Sequence, residues 1–220
     1  MTSAAQSVRV WDLPTRVFHW LLVTLVAMAY VTSQLNWMNW HARAGYTLLT
    51  LVLFRILWGF FGSDTTRFAH FLVSPRAAAK HLAHLFVREP DRQVGHNPAG
   101  GLMVLLLLAL LLGETLSGVY VLNDVADEGP LTELTPSFIA NAITALHWIF
   151  WDALLAAVAL HVLAIVVYAV AKGHNLLRPM VTGRKSLPAG VPLPRMAGSA
   201  RALILFGCSA LAVAGLAKVV

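Results

Sequence analysis

Apolar residues in this chain fall in long blocks that polar segments separate, rather than alternating with polar residues. A helix needs about 20 mostly apolar residues to cross a bilayer. Four blocks approach or exceed this length, and a fifth, rich in small residues, is barely long enough. The pattern therefore predicts an all-α membrane protein: a bundle of four transmembrane helices with a fifth C-terminal span, at residues 17–33, 41–61, 99–121, 138–171 and 202–220.

The polar segments between the blocks complete the domain organisation. Ser74 and Pro75 resemble a helix N-cap followed by proline at the first helical position, so residues 76–88 are predicted to form an amphipathic helix on the membrane surface. Residues 1–185 would then form the four-helix membrane domain, 186–201 a cytoplasmic linker, and 202–220 the extra span.

Composition supports a membrane protein and argues against nucleic acid as a partner. The chain has 220 residues, of which 58% are hydrophobic and 12% charged, whereas about a quarter are charged in soluble domains. The net charge of +6 comes from basic residues that lie between the apolar blocks rather than in one patch. The single cysteine, Cys208, excludes an internal disulfide.

The charges of the loops predict the orientation. The N-terminus, the connection between spans two and three, and the linker after span four carry the basic residues, so all three are expected to face the cytoplasm. The loop between spans three and four faces outward, because it has no basic residue. Its acidic residues are Asp124, Asp127, Glu128 and Glu133.

Four histidines lie in or at the ends of the predicted spans, where ionisable side chains are costly and mark functional sites. His147 and His161 are 14 residues apart, nearly four helical turns, so they share one face about 21 Å apart along the axis. Depth in the membrane pairs His161 with His19 on the cytoplasmic side, and His147 with His41 on the outer side.

Each pair is suited to hold a metal between two helices. Imidazole nitrogens suit iron and serve as axial ligands of haem, whereas structural zinc needs four ligands close together. The flat haem ring needs small residues beside it, and Gly45 shares a helical face with His41. Other small residues placed for this are Ala153, Ala157, Ala164, Gly113 and Gly118.

Further charged residues suggest roles around such a cofactor. Arginine pairs well with carboxylates, so Arg16 and Arg55 are candidate propionate partners on the cytoplasmic side, and Arg43 on the outer side. Glu114 and Asp152 are acids within spans that could relay protons to a quinone. Asp152 could instead be merely hydrated near the outer face.

Five stretches match the pattern of one known family. They are residues 11–20 (WDLPTRVFHW), 41–46 (HARAGY), 54–59 (FRILWG), 95–101 (GHNPAGG) and 180–185 (MVTGRK). On these motifs the sequence resembles the bacterial cytochrome b561 family, including the cytochrome b subunits of membrane-bound hydrogenases. The resemblance covers roughly residues 8–185 and leaves the fifth span outside the common core.

The resemblance implies a four-helix core in the bacterial inner membrane that binds two b haems. His19, His41, His147 and His161 match the ligands, and Arg16, Arg43 and Arg55 match propionate contacts. It also implies electron transfer between the quinone pool and a periplasmic redox protein, such as a cytochrome c or a hydrogenase-like subunit. Homodimerisation stays open.

Two other functions remain as alternatives, so whether the chain is an enzyme is left open. Some relatives oxidise superoxide at the outer haem and pass the electron to ubiquinone, but an anion favours a cationic approach, and the outer loop is acidic. Arg43 is the only outer cation placed to help. A transporter without cofactor is the third reading, and the paired histidines argue against it.

Overall fold

Five membrane-length helices dominate the fold. The computed structural model describes residues 5–87, 90–121 and 135–218, and within them five helices are long and apolar enough to cross a membrane. The helices in chain order are α1 (Leu13–Gln34), α2 (Met38–Phe61), α3 (Phe68–Phe71), α4 (Pro75–Ala83), α5 (Pro98–Ser117), α6 (Ser137–Val167), α7 (Leu177–Thr182) and α8 (Ser199–Lys218). The spans are α1, α2, α5, α6 and α8, which confirms the predicted helical membrane fold and its fifth span. The acidic outer loop, with Asp124, Asp127, Glu128 and Glu133, lies outside the described residues.

Local hydrogen bonds explain where the helices begin and end. The first span starts at Leu13, four residues before its apolar block, because Asp12 Oδ1 caps it by accepting from the backbone N–H of Thr15 at 2.8 Å. Ser74 caps α4 as predicted, since its hydroxyl accepts from the N–H of Ala77. The predicted extension of this helix beyond Ala83 is wrong for residues 84–87, because the backbone leaves the helical conformation at His84. Residue 88 lies outside the described residues.

A two-stranded sheet was not expected from the sequence. Strand β1 (Ala5–Arg9) pairs antiparallel with β2 (Arg184–Pro188), and the register runs from Ala5 opposite Pro188 to Arg9 opposite Arg184. The inner face of the sheet places Val8 and Leu187 in a buried cluster with Val10 and Trp11. Strand β2 therefore crosses the predicted boundary between the membrane domain and the linker at residues 185 and 186, and it pairs with the N-terminal segment.

Asp12 also anchors the end of α2 and the segment before α8. Its Oδ2 accepts hydrogen bonds from Trp58 Nε1 at 3.1 Å and from the Ser63 hydroxyl. The Ser63 oxygen in turn accepts from the backbone N–H of Ala197 at 2.9 Å. Asp12 is only 3% exposed, so three donors satisfy a buried carboxylate.

The described residues fall into two compact units. The first contains the residues up to Val17, from Leu57 to Leu106, and from Ala157 to Ala202. It holds the sheet and the Asp12 hydrogen bonds. The second contains Phe18–Ile56, Leu107–Ala156 and the residues from Leu203 onward. Its buried clusters are Ala29, Ala44 and Leu48, and Val52, Leu111 and Leu154.

Candidate functional site

His41 lies in the first turn of α2, and its ring is oriented by the preceding helix. Nδ1 is 2.9 Å from the backbone oxygen of Ala29 in α1. A carbonyl oxygen can only accept, so Nδ1 carries the proton and Nε2 keeps its lone pair. Metal-binding histidines commonly donate their second ring N–H to such a partner, which fixes the ring and its tautomer.

His147 in α6 is held in the same way by the end of α5. Its Nδ1 lies 3.0 Å from the backbone oxygen of Glu114 and 3.1 Å from the hydroxyl of Ser117. The Ser117 hydroxyl itself donates to that carbonyl at 3.0 Å. The carbonyl again places the proton on Nδ1, so Nε2 is the nitrogen that remains available.

The two rings stand at the separation that a shared metal requires. Their centroids are 6.4 Å apart and their planes are nearly perpendicular, at 84°. A metal bound by one nitrogen of each ring would set the centroids about 6 Å apart, because a metal–imidazole bond is about 2 Å long. Both histidines line a cavity of about 370 Å³ in the second unit, within the size range of cofactor pockets.

The cavity wall is mainly apolar and includes two glycines beside the histidines. A Cβ added to Gly45 would meet nothing within 4 Å, so open space lies over this residue. A Cβ at Gly118 would lie 3.2 Å from His147 Cε1, so the glycine lets the ring stand close to the backbone. Tyr30 and Trp151 stack at 5.5 Å on the same wall.

Glu114 brings a carboxyl group into this cavity. Its Oε1 lies 3.3 Å from His147 Nε2. Its Oε2 is buried and has no hydrogen-bond partner among the described residues. Asp152, the other acid predicted within a span, is exposed on α6 and does not belong to the described cavity wall.

The remaining predicted residues are distributed over both units. His19 lies in the second unit with its ring edge-on to Trp20 at 5.0 Å, and His161 lies in the first unit. Their pairing stays a prediction. No group of three or more metal-binding side chains occurs in the described part of the chain.

The three predicted arginines have different surroundings. Arg16 Nη1 donates to the backbone oxygen of Val181 at 2.7 Å, and its Nε is buried without a hydrogen-bond partner in the described structure. Arg55 is 3% exposed within α2. Arg43 is exposed and lies 5.0 Å from the ring centroid of Trp40, a cation–π contact. The described cavity wall does not include it.

Sequence reasoning did not find the groups that orient the two histidines. Two of them are backbone carbonyls, on Ala29 and Glu114, and carbonyls leave no mark in a sequence. The third group is the side chain of Ser117, which lies four residues before Val121 in an apolar span. A polar residue there could have indicated a hydrogen-bond partner, because polar groups in spans usually have partners.

The fold and the site together define a helical membrane protein with a cavity that two histidines line. Residues 10–183 match the model of the family described as prokaryotic cytochrome b561. The chain belongs to this family, and it is accordingly a membrane b-type cytochrome of electron transfer. The chain gives no match among curated proteins and none among solved structures.

Proposed function

We propose that the chain carries electrons through two b haems, between a redox protein at the outer membrane face and the quinone pool. The observation that supports this most directly is the His41–His147 pair, with both Nδ1 atoms bound to carbonyls and the rings 6.4 Å apart. Haem, when bound, supplies an iron that takes up and releases one electron. The donor set and the cavity fit this group.

In this proposal His41 and His147 would hold the iron of the outer haem, each through Nε2. The carbonyls of Ala29 and Glu114 hold the rings in the required tautomer and increase their basicity. Gly45 leaves room for the flat ring. The Glu114 carboxyl lies 3.3 Å from Nε2 of His147, so Nε2 would be free to hold the group only with this carboxyl displaced.

The second haem would be held by His19 and His161. These two histidines are paired because the sequence pattern places them at the same depth in the membrane. Arg16 and Arg55 are the propionate partners proposed at this haem, and Arg43 at the outer one. The buried and unpartnered Nε of Arg16 supports its role, because a guanidinium nitrogen away from water favours an anionic acceptor.

The proposed orientation of the chain in the membrane rests on the distribution of charge. Basic residues concentrate in the N-terminal segment, the connection between spans two and three, and the segment after span four. This pattern supports a cytoplasmic N-terminus in the inner membrane of a bacterium. The outer haem would then exchange electrons with the periplasmic partner.

Haem content of single histidine variants tests the proposal. In the purified protein we expect two haems per chain, and one haem each in H41A and H147A, with the same redox step missing from both. H19A and H161A should lose the other step. H84A is the control, because His84 is an exposed histidine on the surface segment and should retain both haems.

The pairing is wrong if H41A and H147A lose different redox steps, or if either variant retains two haems with unchanged spectra. One haem per wild-type chain would refute the two-haem proposal while leaving the outer site testable by the same variants.

A further inference from the structure

The outer face of the two-stranded sheet carries two arginines directly opposite each other. Arg9 and Arg184 form a register pair in which both side chains are exposed. The Cβ atoms of two directly opposite residues are about 5 Å apart, and like charges in such a pair destabilise the sheet. Neither guanidinium makes an ion pair or a side-chain hydrogen bond within the described residues. The next pair outward on this face is Ser7 and Ser186, both exposed.

Exposed apolar residues adjoin each arginine in the chain. Leu177 and Val181 of α7, just before Arg184, are 52% and 56% exposed. Leu13 and Val17 of α1, just after Arg9, are 51% and 48% exposed. In each helix the two residues are four positions apart in the chain, so their side chains share one helical face.

A hydrogen bond joins the two helices that carry these apolar residues. Nη1 of Arg16 in α1 donates to the backbone oxygen of Val181 in α7 at 2.7 Å. The unpaired cations and the exposed apolar side chains therefore belong to one region of the first unit, beside the start of the first span.

We propose that this region binds an anionic phospholipid. The guanidinium groups of Arg9 and Arg184 would hold the phosphate, since arginine pairs well with phosphate oxygens, and the serine hydroxyls would add donors. The apolar faces of α1 and α7 would contact the acyl chains. A free phosphate ion would engage the arginines but not the four apolar side chains. The proposal depends on the membrane location of the chain and is independent of the haem ligands.

Lipid binding to the purified full chain tests this directly. The protein, stripped of lipid in a non-ionic detergent, is titrated with phosphatidylglycerol or phosphatidylcholine, and bound lipid is counted by native mass spectrometry. We expect the wild type to prefer phosphatidylglycerol, and 0.5 M salt to weaken the preference. R9Q/R184Q should bind phosphatidylglycerol about 30-fold more weakly, because each arginine near an anionic lipid contributes about a fivefold gain.

Matched variants separate this site from general surface charge. R76Q/K80Q removes the same two charges from exposed positions on α4 and should bind phosphatidylglycerol like the wild type. R9K/R184K keeps the charge and should retain most of the binding. The haem spectrum and the melting temperature verify folding, and if the double glutamine variant does not fold, R9Q and R184Q are measured singly.

Three results would overturn the proposal. The first is equal binding of the two lipids by the wild type. The second is an equal loss in R76Q/K80Q and R9Q/R184Q, which would indicate a diffuse charge effect. The third is displacement of phosphatidylglycerol by millimolar sodium phosphate, which would make the site one for free phosphate.

Discussion

Replacement of Asp12 by asparagine should destabilise the protein although it hardly changes the shape of the side chain. The carboxylate accepts from three donors, the N–H of Thr15, the indole N–H of Trp58 and the hydroxyl of Ser63. Asparagine has one accepting oxygen. If that oxygen keeps the helix cap, the amide NH₂ faces the indole N–H, which can only donate.

The structure sets the size of this effect. A buried donor left without a partner costs about 1–3 kcal/mol, and bonds to a charged group are the stronger ones. Asp12 and Trp58 are 3% and 0% exposed, so water cannot replace the lost bond. We expect D12N to lower the free energy of unfolding by about 2–3 kcal/mol, and the melting temperature by about 5–10 °C for a chain of this size.

A second variant assigns the cost to the indole. Thermal unfolding is followed by circular dichroism in one detergent at one scan rate, for wild type, D12N, W58F and D12N/W58F. Phenylalanine removes the opposing donor, so D12N should cost about 1 kcal/mol less in the W58F background. The packing defect left by phenylalanine is present in both members of that comparison and cancels.

Two results would refute this reasoning. An unchanged melting temperature in D12N would mean that the three donors do not depend on a carboxylate. An identical D12N penalty with tryptophan and with phenylalanine at position 58 would mean that the indole does not contribute.

Two further predictions concern the outer site. G118A should displace the His147 ring, because the new Cβ would lie 3.2 Å from Cε1. We expect it to weaken retention of the outer haem about tenfold, the equivalent of about 1.4 kcal/mol of strain. The control is G207A, a change in an open position on α8, and equal haem retention in the two variants would contradict the prediction. G45L should abolish binding of the outer haem and spare the other haem, because leucine would fill the open space over Gly45. For both variants, haem per chain is measured from the pyridine haemochrome spectrum. Two haems in G45L would refute the role of this space.

The helices and the outer histidine pair could be predicted because their signals are local. A block of apolar residues records a span directly, and the intervals between His41, His147 and the span ends place both side chains at one depth. The ring orientation could not be predicted, because it depends on carbonyls of Ala29 and Glu114 that approach from other helices.

The sheet escaped prediction for a different reason. Its strands have five residues each, too short for a reliable alternation, and their pairing joins segments that are far apart in the chain. The surroundings of Arg43 could not be predicted either. Its contact with Trp40 competes with the propionate role inferred from the sequence. The number of charges in a segment does not indicate which partner an arginine side chain contacts.

The pairing of β1 with β2 also constrains how the protein is made. The Gln6 side chain donates to the backbone oxygen of Pro188, across a sequence separation of 182 residues. A ribosome therefore releases β1 long before its partner exists, and four spans must leave the translocation machinery in the interval. Pairing of the two strands is therefore a late step of biogenesis. In a nascent chain truncated before residue 184, the N-terminal strand would lack the partner strand that helps to bury Val8.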